Sequence, residues 1–293
     1  MMNQLSKRSL LYGTATLVLG GLALAVANGN TDADAGTLLS SADVQLRMAY
    51  AIPEQDKQGH VLESRLHLIV DAERSLATVE RMQPGMAVTA EFLGFAQMMR
   101  GKYAEAAASY RRAQGCPDCQ DEQRDVLTFN EARMLAKAGS RELALEVFAA
   151  HGKALDARYG HQRSLEEAAI LRELGRRGQA EQRLDAVVRD LTADPMAWLQ
   201  AGLEYEQLGH VDKADGAFSK AAGAVPIADY HRARLKVLRG EVDTGMELLE
   251  RAAKAVPAEV RRRIQEEAGA WSAVAKDARF QELSGPLPVT PGR

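Results

Sequence analysis

The chain is 293 residues long, with 37 Lys and Arg against 40 Asp and Glu, a formal charge of −3. A hydrophobic share of 46% and a charged share of 26% exclude a disordered chain and a polytopic membrane protein, and the near-neutral balance lacks the basic excess of a nucleic-acid binder. Aromatics make up only 5%, while Ala, Leu, Arg and Glu recur throughout; these favour helix over sheet because they lose little rotamer freedom in a helix.

The first predicted element is a targeting segment. No charge occurs from Ser9 to Thr31, and Lys7 and Arg8 stand just before that stretch. Leu10 to Ala27 forms an apolar run of 18 residues, at the border between a secretory signal and a single membrane span. Ala25-Val26-Ala27 offers a small-x-small cleavage pattern; uncleaved, residues 1–27 would anchor the chain in the inner membrane. Either way, the expectation is an exported protein, periplasmic or anchored facing the periplasm. Residues 28–41, NGNTDADAGTLLSS, are small, polar and Gly/Asp-rich, and predict a linker.

Residues 42–84 predict an N-terminal helical segment. The pattern starts near Ala42, breaks at Pro53 and resumes from Val61 to Met82. There Leu62, Leu66, Ile69, Val70, Ala72, Leu76 and Val79 recur at three- and four-residue steps, and Pro84-Gly85 ends the run.

Residues 85–283 repeat. Pro195, Pro226 and Pro257 lie 31 apart, and Gly178, Gly209 and Gly240 keep the same step, each 17 residues before its Pro. Such self-similarity marks a solenoid. The clearest unit carries Trp198, Gly202, Tyr205, Gly209, Ala214, Phe218, Ala221 and Pro226, and in these residues it resembles the tetratricopeptide repeat. Gly202 and Ala221 allow close helix approach, and Trp198, Tyr205 and Phe218 fill the space between. Weaker units carry Gly94, Gly101, Ala106 and Tyr110; Ala132, Gly139, Ala144 and Phe148; Leu171, Gly178, Val187 and Pro195, with Arg183 where a small residue is usual; and Ala233, Gly240, Gly245, Leu249 and Pro257. The steps of 38 and 39 between Gly101, Gly139 and Gly178 predict longer loops near Cys116 and over residues 152–160. Arg261 to Leu283, with Val260, Ile264, Ala268, Trp271, Val274 and Ala275 on one stripe, predicts a C-terminal capping helix. Three prolines make residues 284–293 a disordered tail.

The resemblance implies an all-α, right-handed α-solenoid of about five helix-turn-helix repeats, whose first helices line a concave groove for a peptide or helix of a protein partner. It further implies a non-catalytic scaffold of the cell envelope, serving assembly, secretion or maturation of envelope proteins or polysaccharide export. A structural or oligomerisation module without a groove ligand is the alternative.

Chemistry-bearing motifs are sparse. There is no GxSxG, Walker loop or GxGxxG, and the six His form no HExxH, so no catalytic residue, metal site or cofactor is expected. The one conspicuous motif is Cys116-Pro117-Asp118-Cys119, which holds both cysteines. It lacks the βαβ setting of a thioredoxin-type centre, the following His of a haem site and the second ligand pair of structural zinc. A local disulfide pinning an inter-repeat loop is the reading in an exported chain, with inert or intermolecular thiols and a CxxC-dependent redox protein as alternatives.

Carrying the family's repeat numbering onto this chain, by aligning on the turn glycines, gives a candidate groove row. It comprises Glu91, Phe95 and Met98, then Phe129 and Arg133, then Arg172, then Leu199, Leu203 and Glu206, and last Tyr230, Arg234 and Val237. The resemblance thus implies apolar and aromatic anchors interleaved with three arginines, suited to a partner segment carrying acidic residues. Packing of Phe95, Leu199 and Leu203 between repeats is the competing reading.

Overall fold

The computed structural model describes residues 30–55 and 62–285; among them are fourteen α-helices and one 3₁₀ helix, joined by turns. The expected signal or anchor over 1–27 and the tail from residue 286 lie outside the described residues. No described helix is long and apolar enough to cross a membrane. The chain divides into two compact units, residues 1–158 and 159–293.

The first unit begins with α1 (Asn30–Ala51) packed on α2 (Glu63–Met82). The expected linker is therefore mostly helix. Its Ala35 and Leu39 belong to one stripe with Ala42, Leu46 and Ala49, all buried, and the stripe faces Ile69, Ala72, Leu76 and Val79 of α2. Alanines that look like linker composition are here the small residues of a close helix–helix contact. Two hairpins follow, α3 (Ala87–Met99) with α4 (Tyr103–Gln114) and α5 (Asp121–Lys137) with α6 (Arg141–Ala150); each helix packs on the next, and α4 also packs on α5.

The division between units falls within α7 (Gly152–Glu173), where Tyr159 leaves helical geometry at φ −128°, ψ 18°. The expected loop over 152–160 is helix instead, because Leu155 and Tyr159 bury their side chains. In the second unit α8 (Arg177–Arg189) is tied to α7 by the Arg183–Glu167 ion pair at 2.7 Å. Then come the hairpins α9 (Pro195–Gln207) with α10 (Val211–Ala221) and α11 (Ile227–Leu238) with α12 (Val242–Ala255). The expected single capping helix is three pieces: α13 (Pro257–Glu266), a 3₁₀ turn (Ala268–Val274) and α14 (Ala278–Ser284). The chain leaves α geometry at Glu267, before Gly269, and restarts where the Asp277 carboxylate accepts from the Arg279 N–H. Val260, Ile264, Trp271, Val274 and Phe280 are nonetheless buried together, so the apolar stripe is right and its continuity is not.

Five hairpin turns share one geometry. Gly101, Gly139, Gly175, Gly209 and Gly240 all have φ between 73° and 91°, the left-handed region open to glycine. The residue after each glycine donates its N–H to a carbonyl five residues back: Lys102 to Gln97, Ser140 to Leu135, Arg176 to Leu171, His210 to Tyr205 and Glu241 to Lys236. This is the Schellman closure of a helix C-terminus. The turn glycine of the third hairpin, α7 with α8, is Gly175. Gly178, which keeps the 31-residue step, sits inside α8 with nothing near its Cα face. Moving the register by three places buried Ala180, not Arg183, at the small position, matching Ala106, Ala144, Ala214 and Gly245, each five residues after its glycine. Nine residues after each glycine stands a buried Tyr110, Phe148, Leu184, Phe218 or Leu249. Seven before it is Gly94, Ala132, Ala168, Gly202 or Ala233, small because the large residue presses on it: a Cβ on Gly94 would lie 2.9 Å from the Tyr110 ring. Trp198 is half-buried, with the Lys220 ammonium 5.6 Å from its ring centre, so it fills less of the core than its family position implies.

Candidate partner-binding face

Measured from the turn glycines, the groove row occupies positions ten, six and three residues before each turn, all on the first helix of a hairpin. The tenth position is closed. Glu91, Phe129, Leu165, Leu199 and Tyr230 stand there, and every one is buried. Phe129 packs on Phe148 with ring centroids 5.8 Å apart. The Tyr230 hydroxyl donates to Glu267 Oε2 at 3.2 Å and accepts from the Trp271 indole at 3.3 Å. A partner cannot touch these residues while the hairpins are packed, so for Leu199 the packing reading holds and for Phe129 and Tyr230 the groove expectation is corrected.

The sixth and third positions remain half-exposed at most places. In the first unit these are Phe95 and Met98, which join half-buried Leu38, Tyr50 and Leu93 over the α1–α3 core; the Phe95 and Tyr50 rings lie 5.8 Å apart. Arg133 takes the sixth position of the next hairpin but is only 3% exposed, its guanidinium 5.7 Å from the centre of the Phe129 ring. In the second unit half-buried Leu203 is flanked by ion pairs. Arg172 donates to Glu204 at 2.8 Å; Arg234 donates to Glu267 at 2.8 Å and also to Glu206. In the corrected register Arg172 stands three residues before its turn, the place of Glu206, and Ala169 takes the sixth position. Val237 is buried.

The electrostatics of this face come from burial. Glu91 accepts a hydrogen bond from the Gln123 side chain at 2.6 Å, and its other oxygen has no hydrogen-bond partner among the described residues. Burial pushes its carboxyl up to about 7, against the smaller opposing pull of that bond. The same desolvation raises Glu204 and Glu206, partly offset by Arg172 and Arg234. No described group of three His, Cys, Asp or Glu could hold a metal ion. Cys116 and Cys119 are buried thiols in this structure, donating to the Arg112 and Gln120 carbonyls.

No family model and no curated protein matches the sequence. Among solved structures the chain is similar to a tetratricopeptide repeat protein from Parabacteroides merdae ATCC 43184, with 18% identity and a TM-score of 0.46 over 84% of this chain and 98% of that one. It is also similar to the APC/C hetero-tetramer Cut9–Hcn1, with 14% identity and a TM-score of 0.45 over 95% of this chain and 58% of that one. The repeat architecture rests on the chain's own five matching turns.

Tyr50 completes the face of the first unit, and sequence reasoning missed it. The signal for Tyr50 was present in the three- and four-residue steps from Ala35 to Ala49, which extend the helical pattern back through the supposed linker.

Proposed function

We propose that this chain is a tetratricopeptide-like scaffold that binds a protein or peptide partner along the first helices of its hairpins. The observation that carries the reading is the repeated turn register, which leaves Phe95, Met98 and Leu203 half-exposed at equivalent places while the row beneath them is sealed. A half-buried apolar side chain held by a rigid helix is a low-entropy anchor for a partner's apolar residue. The acidic partner expected from three arginines loses its basis, since Arg172 and Arg234 are ion-paired and Arg133 is buried. The first unit favours an amphipathic helix or an apolar extended segment. The run from Leu10 to Ala27, preceded by Lys7 and Arg8, supports the part of this reading that has the chain exported and working in the cell envelope, on the periplasmic side of the inner membrane.

Site-specific photo-crosslinking tests the reading. A photoreactive residue at Met98 or Leu203 should trap one discrete partner in cells, and the same residue at exposed Leu191 or Leu238 should not. Equal trapping at all four positions would reject the first-helix face. A phosphatase reporter fused after Gly285 should be active outside the cytoplasm, and activity confined to the cytoplasm would reject the envelope.

A further inference from the structure

The Cys116-Pro117-Asp118-Cys119 turn joins α4 to α5 and reaches back to the preceding helix. Cys119 donates its N–H to the Cys116 carbonyl at 3.1 Å, closing a four-residue turn around Pro117 and Asp118. A turn closed in this way holds its end Cα atoms within about 7 Å, and a disulfide needs about 4.4–6.8 Å. Proline fixes the backbone at the second turn position in the conformation such a turn requires. Pro117 and Asp118 are exposed, while the cysteines on either side are buried, each retaining 7–8% of its surface. Between the cysteines, both Asp118 carboxylate oxygens accept from the Ala87 N–H, at 3.0 and 3.2 Å. Ala87 opens α3, and the N-cap residue of α3, Met86, makes no side-chain cap of its own. The Asp118 carboxylate, from the turn between the two hairpins, supplies that missing cap and sits at the positive end of the helix.

We propose that Cys116 and Cys119 are a reversible modification site, which oxidation by a low-molecular-weight disulfide converts to an intramolecular bond that locks Asp118 onto the start of α3. The exchange balances in two steps. One cysteine, as thiolate, attacks the oxidant and expels one thiolate; the second then attacks the mixed disulfide and expels the other. Two thiol hydrogens and two electrons leave the turn, and two small thiols are formed. In the reduced chain the turn is closed only by non-covalent contacts, the Cys119–Cys116 backbone bond and the Arg124 guanidinium donating to the Cys119 and Gln114 carbonyls, so Asp118 and Ala87 can separate when these open. In the oxidised chain the ring prevents that opening. Since α3 carries Phe95 and Met98, the bond stiffens the helix that bears the proposed apolar anchors, while the site itself stands independently of any partner. Burial and the Asp118 charge both hold the thiols above their ordinary range; oxidation therefore speeds up with pH, as exchange proceeds through the thiolate.

The test uses the full chain, reduced and then equilibrated with oxidised glutathione, quenched by alkylation and weighed by mass spectrometry. The expected product has lost two hydrogens, carries no glutathione and remains uncrosslinked between chains. Amide exchange at Ala87 should slow several-fold relative to the reduced chain. In Asp118→Ala the disulfide should still form, with exchange at Ala87 equal in both redox states. Cys119→Ser should stop at a glutathione adduct on Cys116. A stable adduct on the unsubstituted chain, or unchanged exchange at Ala87 after the bond has formed, would overturn the proposal.

Discussion

Glu91 and His231 give the fold opposite responses to pH. The Glu91 carboxyl titrates near 7 in the folded chain against 4.5 in water, so the native state keeps a proton that the unfolded chain releases between those values. Its contribution is fully present below 4.5 and is lost as the pH rises through 7. Glu91→Gln keeps an acceptor for Gln123 and removes the ionisation. It should match the parent at acid pH and exceed it above pH 7 by something on the order of 3 kcal/mol. Urea unfolding at pH 5 and pH 8 measures this, and equal stabilities at pH 8 would mean the carboxyl is solvated. His231 is buried between Phe218, stacked at 5.1 Å, and Tyr230, with no hydrogen-bond partner on either ring nitrogen among the described residues. Burial, then the Arg263 and Arg234 charges, depress its pKa well below 6.5. The unfolded chain therefore takes up the extra proton, and stability falls as the pH drops below 6.5. His231→Phe should flatten that acid limb in the same titration. Neither residue was legible as a titrating group in the sequence, because a charged letter does not reveal how tightly the next hairpin closes over it. Phe129 and Tyr230 were misread for the same reason: periodicity names a face, and only packing decides whether the face stays open.

The hairpin shows why a fixed spacing is weaker evidence than the turn that produces it. Gly178, Gly209 and Gly240 repeat at 31, yet only the last two have the left-handed φ that glycine uniquely tolerates. The true series, Gly101, Gly139, Gly175, Gly209 and Gly240, has shrinking steps, so a search for one period passes over Gly175. The pairing of small and large residues around the turn is legible, since the sequence marks Gly202 for close helix approach and Phe218 as filling the space, and the structure presses the two together. Two substitutions separate the roles. A Cβ on Gly202 would run into the Phe218 ring, which is fully buried and cannot retreat, so Gly202→Ala should cost about 1–3 kcal/mol. Gly178 has open space around it within α8, and Gly178→Ala should stabilise by about 0.5–1 kcal/mol through helix propensity. Thermal unfolding of both variants decides the register; a destabilised Gly178→Ala would restore Gly178 as a turn residue.

Within each unit, the surface left after packing determines what a partner can grip. In the first unit that surface is apolar, built from Phe95, Met98 and Tyr50 over a core that runs from Ala35 to Met99. In the second it is Leu203 among carboxylates and arginines that neutralise one another, Arg172 with Glu204 and Arg234 with Glu206 and Glu267. Breaking such a partly buried pair to contact a ligand carries a desolvation cost, so the ion pairs contribute selectivity more than affinity. Affinity should then come from the first unit. Phe95→Ala with Met98→Glu should weaken capture of the crosslinked partner at least tenfold, because both side chains are half-exposed and their loss leaves the sealed row beneath intact. Arg234→Ala should weaken capture less and chiefly lower stability, since it strands Glu206 and Glu267 without their counter-charge. Phe129→Ala with Arg133→Glu should unfold the first unit before any effect on binding can be read, because both residues are at most 3% exposed and Phe129 packs on Phe148. Circular dichroism on each variant separates folding from capture. A folded Phe95→Ala, Met98→Glu chain that retains full capture would move the contact away from the first helices.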